Sequence, residues 1–267
     1  MGYDIRIEKY DLPSIADKHK LYRVFVDEEN EIETLVTHHA SVVELWIDKN
    51  IEEVFSRLRS LIVGLGVQWR PKSDPVATLQ LSFGKYCLIY QILESGNRIP
   101  YRLRAFLGNP RYLFVGVGVQ NNVNRLRAYC GLKVANIREL SSWAASKLDR
   151  KGLGKAGLKL LVKEILGVEM KRPKNIKLSL WDNPELSLHQ VAYASLDAYF
   201  SFEIGISLSA SSVAIEMMFV SDNNYYTIDH LFRTYLIMGH YSSFEIPKDT
   251  CILAKGSNKS NPVWSTL

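Results

Sequence analysis

Two unbroken apolar runs constrain this chain more than any other feature: Leu61-Ile-Val-Gly-Leu-Gly-Val67 and Tyr112-Leu-Phe-Val-Gly-Val-Gly118. Runs of this length without polar alternation read as strands buried on both faces, and such strands need helices over both sides of a sheet. The neighbouring pattern agrees. Tyr22-Arg-Val-Phe-Val26 and Ile32-Glu-Thr-Leu-Val36 flank the charged stretch Asp27-Glu-Glu-Asn-Glu31 and read as a hairpin. Thr78-Leu-Gln-Leu-Ser-Phe83 alternates with period two, and Gly84-Lys85 turns it into Tyr86-Cys-Leu-Ile-Tyr-Gln-Ile92, which predicts an antiparallel pair. A short strand is expected over residues 133–135. Helices are expected over 41–58 (whole or broken), 99–107, 122–129, 137–147, 158–166 and 187–204, the last with Ser187 as N-cap. Residues 171–184 are polar, contain two prolines and read as a loop. The expected fold class is α/β in three layers, a mixed central sheet with antiparallel first strands and helices on both faces, over residues 20–205. Residues 1–19 read as an N-terminal extension and 206–267 as a C-terminal one without clear periodic continuation.

Composition narrows the function classes. With 267 residues, 47% apolar and 23% charged, the chain can bury a substantial core, and collagen-like, low-complexity and largely disordered readings are excluded. No stretch approaches roughly 18 uninterrupted apolar residues, so no membrane span is expected. The first twenty residues mix both signs of charge without an apolar core, unlike a secretory signal. Cys87, Cys130 and Cys251 are odd in number and far apart, which argues against a disulfide framework or a thiolate zinc site and for an intracellular setting, nucleus or cytoplasm.

Charge is unevenly spread. Residues 61–177 carry 21 Lys/Arg against 6 Asp/Glu, while the two flanks together carry 12 against 22. A basic middle of this size offers a footprint for a polyanion, although charge runs also simply solvate a surface. Lys151, Lys155, Lys159 and Lys163 recur every four residues, so one helix would align four ammonium groups as a phosphate-facing ridge.

Three landmarks in order carry a family resemblance: Val63-Gly-Leu-Gly-Val-Gln-Trp-Arg-Pro71, Phe114-Val-Gly-Val-Gly118 before Asn122, and Tyr193-Ala-Ser-Leu-Asp197. Together they resemble the Werner-type 3′–5′ exonuclease domain, a DEDDy exonuclease of the ribonuclease-H-like superfamily. Lys171-Arg-Pro-Lys174, Ser179-Leu-Trp181 and Gln190-Val-Ala-Tyr-Ala194 are similar to its small plant members. Active members use four carboxylates to hold two divalent cations about 3.5–4 Å apart, which grip a phosphate and activate water. The resemblance places the first Asp on Gly66, the Glu on Gln68 and the third carboxylate on Asn122. Asp197 alone stays acidic, and Tyr193 stays one turn before it on the same helix face.

That departure sets the expected function. Gly66 offers no side-chain ligand; Gln68 and Asn122 keep shape but lose charge, so Asp197 would hold at most one weak ion. Neutral amides no longer repel a phosphodiester, and each supplies donors. The resemblance, so modified, implies a nucleic-acid-binding protein, a pseudo-exonuclease in type, taking single-stranded nucleic acid or 3′ ends and needing no cofactor to bind. Two alternatives stay open. One is a residual Mg²⁺- or Mn²⁺-dependent exonuclease, with Asp74 swinging in as a substitute ligand. The other is an interaction module forming homo- or hetero-oligomers with an active paralogue.

Other residues carry weaker signals. Trp69 and Trp143 fit the core better than a base-stacking surface, whereas Trp181, in a loop after the basic segment, fits either. His38-His39 lack metal-spaced partners and read as a surface pair, and His189 as an exposed or structural residue. Gly152-Leu-Gly-Lys-Ala-Gly157 follows no strand and lacks GKS/T, so it reads as a lead into the lysine-bearing helix. Lys171-Arg-Pro-Lys174 doubles as a weak nuclear-import pattern.

Overall fold

In the computed structural model, the described residues are 6–10, 18–26, 30–52, 61–70 and 75–218, with side chains described in the last helix to 209. The two apolar runs lie side by side in the sheet, as β4 (Leu61–Trp69) and β7 (Tyr112–Gly116), paired in parallel from Leu61↔Tyr112 to Gly64↔Val115. Around them run β1 (Ile7–Tyr10), β2 (Lys20–Phe25), β3 (Glu31–Thr37), β5 (Val76–Phe83), β6 (Tyr86–Tyr90) and β8 (Ile137–Glu139). They form one eight-stranded sheet in the order β1-β2-β3-β6-β5-β4-β7-β8. The first hairpin, β2 with β3, is antiparallel, as are β4 with β5 and β5 with β6. Gly84 makes the β5–β6 turn at φ +50°, where a side chain would be strained. The expected three-layer α/β architecture is therefore present.

Helices α1 (Ala40–Ile47), α2 (Tyr101–Leu107) and α3 (Val119–Cys130) come in the first part of the chain. They are followed by α4 (Leu140–Lys147), the short α5 (Leu158–Leu161) and α6 (Lys174–Lys177), and the long α7 (Leu188–Met218). Two apolar clusters occupy the two faces of the sheet. One gathers Trp46, Leu65, Leu79, Leu88, Phe106, Phe114 and Leu126, the other Val36, Ile89, Val115, Leu140, Val191 and Ile204. Ser187 caps α7 as expected: its Oγ accepts from the Gln190 backbone N–H at 3.3 Å, and Gln190 Oε1 accepts from the Ser187 N–H at 2.9 Å.

Gly64 sets how closely α7 lies on the sheet. A Cβ there would sit 1.9 Å from the Ala198 carbonyl oxygen and 2.9 Å from the Phe202 nitrogen. Only a residue without a side chain permits this approach, and it brings the α7 turn bearing Asp197 onto β4.

Several expectations change. The short strand is Ile137–Glu139 rather than 133–135, because parallel pairing with β7 selects it and not local β propensity. Ile7–Tyr10, inside the assigned N-terminal extension, adds an edge strand antiparallel to β2. Helix α7 continues through position 205 to Met218. The lysine ladder is not one helix. Lys151 and Lys155 bound a 3₁₀ turn, Ala156 and Gly157 are extended, Lys159 lies on α5, and Lys163 lies on a wider helical turn, Val162–Leu166. The break at Gly157 removes the shared face, although all four lysines remain exposed. Among the described residues, no helix is long and apolar enough to cross a membrane.

Candidate functional site

Direct pairing across an antiparallel ladder puts side chains on the same face, so Gly66 stands opposite Gln80 and Gln68 opposite Thr78. Both pairs share the face on which Gly64 meets α7. Tyr193 and Asp197 sit one turn apart on α7, 4% and 6% exposed. The structure thus brings together four expected residues: Gly66, Gln68, Tyr193 and Asp197. Asn122 lies in the first turn of α3, half-buried, and its side-chain amide makes no hydrogen bond to a described residue. Asp74 lies outside the described residues.

Asp197 is not alone. Arg172 donates from Nε to Oδ1 at 2.8 Å and from Nη2 to Oδ2 at 2.5 Å, a bidentate pair that occupies both carboxylate oxygens. The Arg172 guanidinium also lies over the Tyr193 ring, 5.1 Å from its centroid. Burial pushes the Asp197 carboxyl above its usual range, against the pull of Arg172, of more distant Lys177 and of the Gln68 amide beside it. Burial opposes the Arg172 charge, but its bonds to Asp197 outweigh this and hold the guanidinium above its ordinary value. Burial, and then the Asp197 charge, raise the Tyr193 hydroxyl. That hydroxyl is buried and makes no geometrically sound hydrogen bond in the described structure.

The floor where the family's first Asp would stand is filled from β5. A Cβ on Gly66 would lie 2.7 Å from Gln80 Oε1, itself a buried oxygen without a hydrogen-bond partner. Gln80 is held in place by its Nε2, which donates to Thr78 Oγ1 at 2.6 Å. At the start of α3, the Glu139 carboxylate accepts from the Gly118 and Val119 N–H groups, each at 3.0 Å. The exposed N–H groups that open α3 are thus capped by the chain's own anion. Among the described residues, no three His, Cys, Asp or Glu side chains come together as a metal-binding group.

Trp181 requires correction. It is 1% exposed, donates from Nε1 to the Lys177 carbonyl at 3.1 Å and packs 5.9 Å from Tyr193, so it supports that ring and presents no face to a base. Trp69 and Trp143 pack partly into the core, as expected, and Arg125 and Arg138 stack on their rings at 4.2 and 4.6 Å. His38 and His39 face each other at 4.2 Å, and His189 is exposed. Of the four lysines, Lys163 is paired with Glu169 at 2.6 Å. Arg172 was readable only as one letter of a basic segment. No local pattern reports that the segment folds back 25 residues to close on Asp197.

Comparison with known proteins agrees with this fold. Residues 67–211 match the 3′–5′ exonuclease family, over more than half the chain. A 3′–5′ exonuclease of Arabidopsis thaliana is 31% identical over 149 residues, which is 53% of this chain and 50% of that protein. The bifunctional 3′–5′ exonuclease/ATP-dependent helicase WRN of Mus musculus is 31% identical over 144 residues, 52% of this chain and 10% of its own length. The chain thus spans about half or less of these relatives. Two solved structures share the fold. Escherichia coli RNase D superposes with a TM-score of 0.55 at 14% identity, covering 78% of this chain and 51% of its own. The catalytic core of RRP6 from Trypanosoma brucei gives 0.53 at 17% identity, covering 77% and 51%. The sheet order, the paired landmarks on β4 and α7 and the match over 67–211 converge: this chain belongs to the 3′–5′ exonuclease domain family.

Proposed function

We propose that this protein binds single-stranded nucleic acid, 3′ ends included, in an exonuclease-type cleft without cutting it. The observation that carries the reading is the Arg172–Asp197 pair. Two hard cations need several carboxylates around them. Here glycine and two amides stand at three of the family's positions, and the fourth carboxylate already carries a guanidinium. The donor set does not fit a metal pair, and no cleaving step is assigned to it. The same exchange favours retention of a strand, because the cleft no longer confronts a phosphodiester with a cluster of negative charge.

The basic middle supplies the attraction. Lys151, Lys155 and Lys159 are exposed and separate rather than aligned, which leaves each able to contact a phosphate at its own point. Lys163, tied to Glu169, contributes less. Buried Cys87 and Cys130, both free thiols, support an intracellular setting, nucleus or cytoplasm.

The test pairs binding with cleavage. Anisotropy of a labelled single-stranded dodecamer in EDTA, titrated with salt, is expected to give an affinity that falls log-linearly, with the slope reduced in a Lys151→Ala/Lys155→Ala/Lys159→Ala variant. Incubation of a 3′-overhang substrate with Mn²⁺ is expected to leave it intact. Laddering that disappears in Asp197→Ala would establish a residual exonuclease instead. A stable oligomer with no nucleic-acid shift would establish the interaction module.

A further inference from the structure

The bidentate pair does not use the whole of the Arg172 guanidinium. Its bonds to Asp197 use Nε and Nη2, while Nη1 is engaged with neither carboxylate oxygen. The side chain is 27% exposed, against 8% for that of Asp197, so Arg172 as a whole reaches further toward solvent than the carboxylate it neutralises. Beside it stands the Tyr193 hydroxyl, which is buried, feels the guanidinium and makes no geometrically sound hydrogen bond. A buried hydroxyl without a partner costs free energy until something accepts its proton or donates to it. Gln68, near the end of β4, bears on Asp197 through an amide with a second N–H to donate, and it too is nearly buried at 8% exposure. A fixed cation, a buried hydroxyl and an amide thus share the surroundings of Asp197. Together they match the oxygens of a phosphate group, and a guanidinium suits phosphate better than an ammonium would.

We propose that Arg172 is a resident cation in place of the metal ions, and that with Tyr193 it binds the phosphate of a nucleotide directly, without any divalent ion. The nucleotide is either a free nucleoside 5′-monophosphate or a residue of a single strand; the chemistry recognised is the same. Asp197 then acts as a positioning residue. It fixes the guanidinium plane and lowers its net charge, so that phosphate is held moderately and can exchange. The proposal rests on the non-cleaving reading above for the strand but not for the monophosphate.

The experiment separates the two. Binding of a labelled single-stranded dodecamer and of a nucleoside monophosphate is measured in EDTA for the wild type, Arg172→Met, Asp197→Asn and Arg172→Met/Asp197→Asn, with a thermal melt of each to establish folding. Asp197→Asn frees a full positive charge and is expected to bind both probes roughly threefold to tenfold more tightly. Arg172→Met is expected to lose about tenfold or more. The double variant decides the matter, because it restores the pair's zero net charge without the guanidinium. It is expected to stay at least about fivefold weaker than wild type. Equal binding by double variant and wild type overturns the proposal, as does weakened binding in Asp197→Asn. A strand held by the wild type and unaffected by these substitutions sinks this inference and leaves the functional reading standing. Monophosphate bound through Arg172 with no strand binding does the reverse, and binding of neither probe overturns both.

Discussion

Arg172 closes on both oxygens of Asp197 across 25 residues of chain, tying the segment before α6 to the middle of α7. Neither group was buried for nothing. A carboxylate 6% exposed would be strongly disfavoured alone, and its partner gains a second contact on the Tyr193 ring. Removing one member leaves the other uncompensated. Arg172→Ala is therefore expected to cost about 3–5 kcal/mol in urea unfolding, and Asp197→Asn less, because an amide still accepts a hydrogen bond. A double-mutant cycle with Arg172→Ala and Asp197→Ala is expected to give a coupling of about 2 kcal/mol or more. Additive effects would mean that the pair contributes no specific interaction.

Two glycines on the same strand face predict opposite tolerance. A Cβ at Gly64 would meet main-chain atoms of α7, at 1.9 Å from the Ala198 oxygen, and a packed helix cannot yield that distance locally. Gly64→Ala is expected to cost more than about 3 kcal/mol or to abolish soluble expression. A Cβ at Gly66 meets only the Gln80 side chain, closest at its tip, which can turn aside with loss of its bond to Thr78. Gly66→Ala is expected to stay within about 1–2 kcal/mol by the same measurement. A Gly64→Ala protein as stable as Gly66→Ala would contradict the close seating of α7.

The layers of the fold were legible because burial writes itself into sequence period. The runs now in β4 and β7, the alternation in β5 and the Ser187 cap are local signals, and each reappears where expected. What was not legible depends on contacts distant in sequence. Strand β8 is three residues long, and its pairing with β7 rather than its composition makes it a strand. Trp181 looked available because its loop is polar, yet its indole N–H is consumed by the Lys177 carbonyl and its ring by Tyr193. The four-residue lysine period was real, but Gly157 interrupts the helix that would have expressed it. At the site, the neutrality of Gly66, Gln68 and Asn122 could be read directly. The compensating charge could not, because nothing near Arg172 in the sequence announces Asp197.

The thiols give a prediction on pH. Burial pushes Cys87 up to about 12, against hydrogen bonds from Ser195 and Thr34, and burial pushes Cys130 up to about 11, from an ordinary value of 9.0. Both stay protonated in the fold at a pH where the unfolded chain ionises them. Their contribution is therefore fully present below about pH 9 and is lost as pH climbs through about 11 to 12. Near pH 10.5 the loss is expected to reach on the order of 2 kcal/mol per thiol, and the alkaline fall of stability to be shallower in Cys87→Ala than in wild type. Alkylation at pH 8.5 followed by peptide mapping is expected to leave both residues unmodified until denaturant is added. Rapid native labelling of Cys87 would contradict its burial.

Restoring the missing charge is the most demanding check on the functional reading, because it requires both adding carboxylates and removing a cation. Gly66→Asp, Gln68→Glu and Asn122→Asp together return three acidic side chains to the family's positions, and Gln80 must turn aside to admit the first. With Arg172 still present, however, Asp197 keeps its guanidinium partner, and a divalent ion must displace a bidentate pair to reach it. The triple variant alone is thus expected to bind Mn²⁺ weakly in a calorimetric titration and to ladder a 3′-overhang substrate barely or not at all. Adding Arg172→Ala frees the fourth ligand. The quadruple variant is expected to bind Mn²⁺ measurably more tightly and to cleave at least about 10³-fold faster than wild type, with Asp197→Ala in that background abolishing the gain. If the triple variant cleaves as well as the quadruple one, Arg172 is no barrier to metal. If wild-type protein already ladders the substrate through Asp197, the missing carboxylates were never the deciding loss.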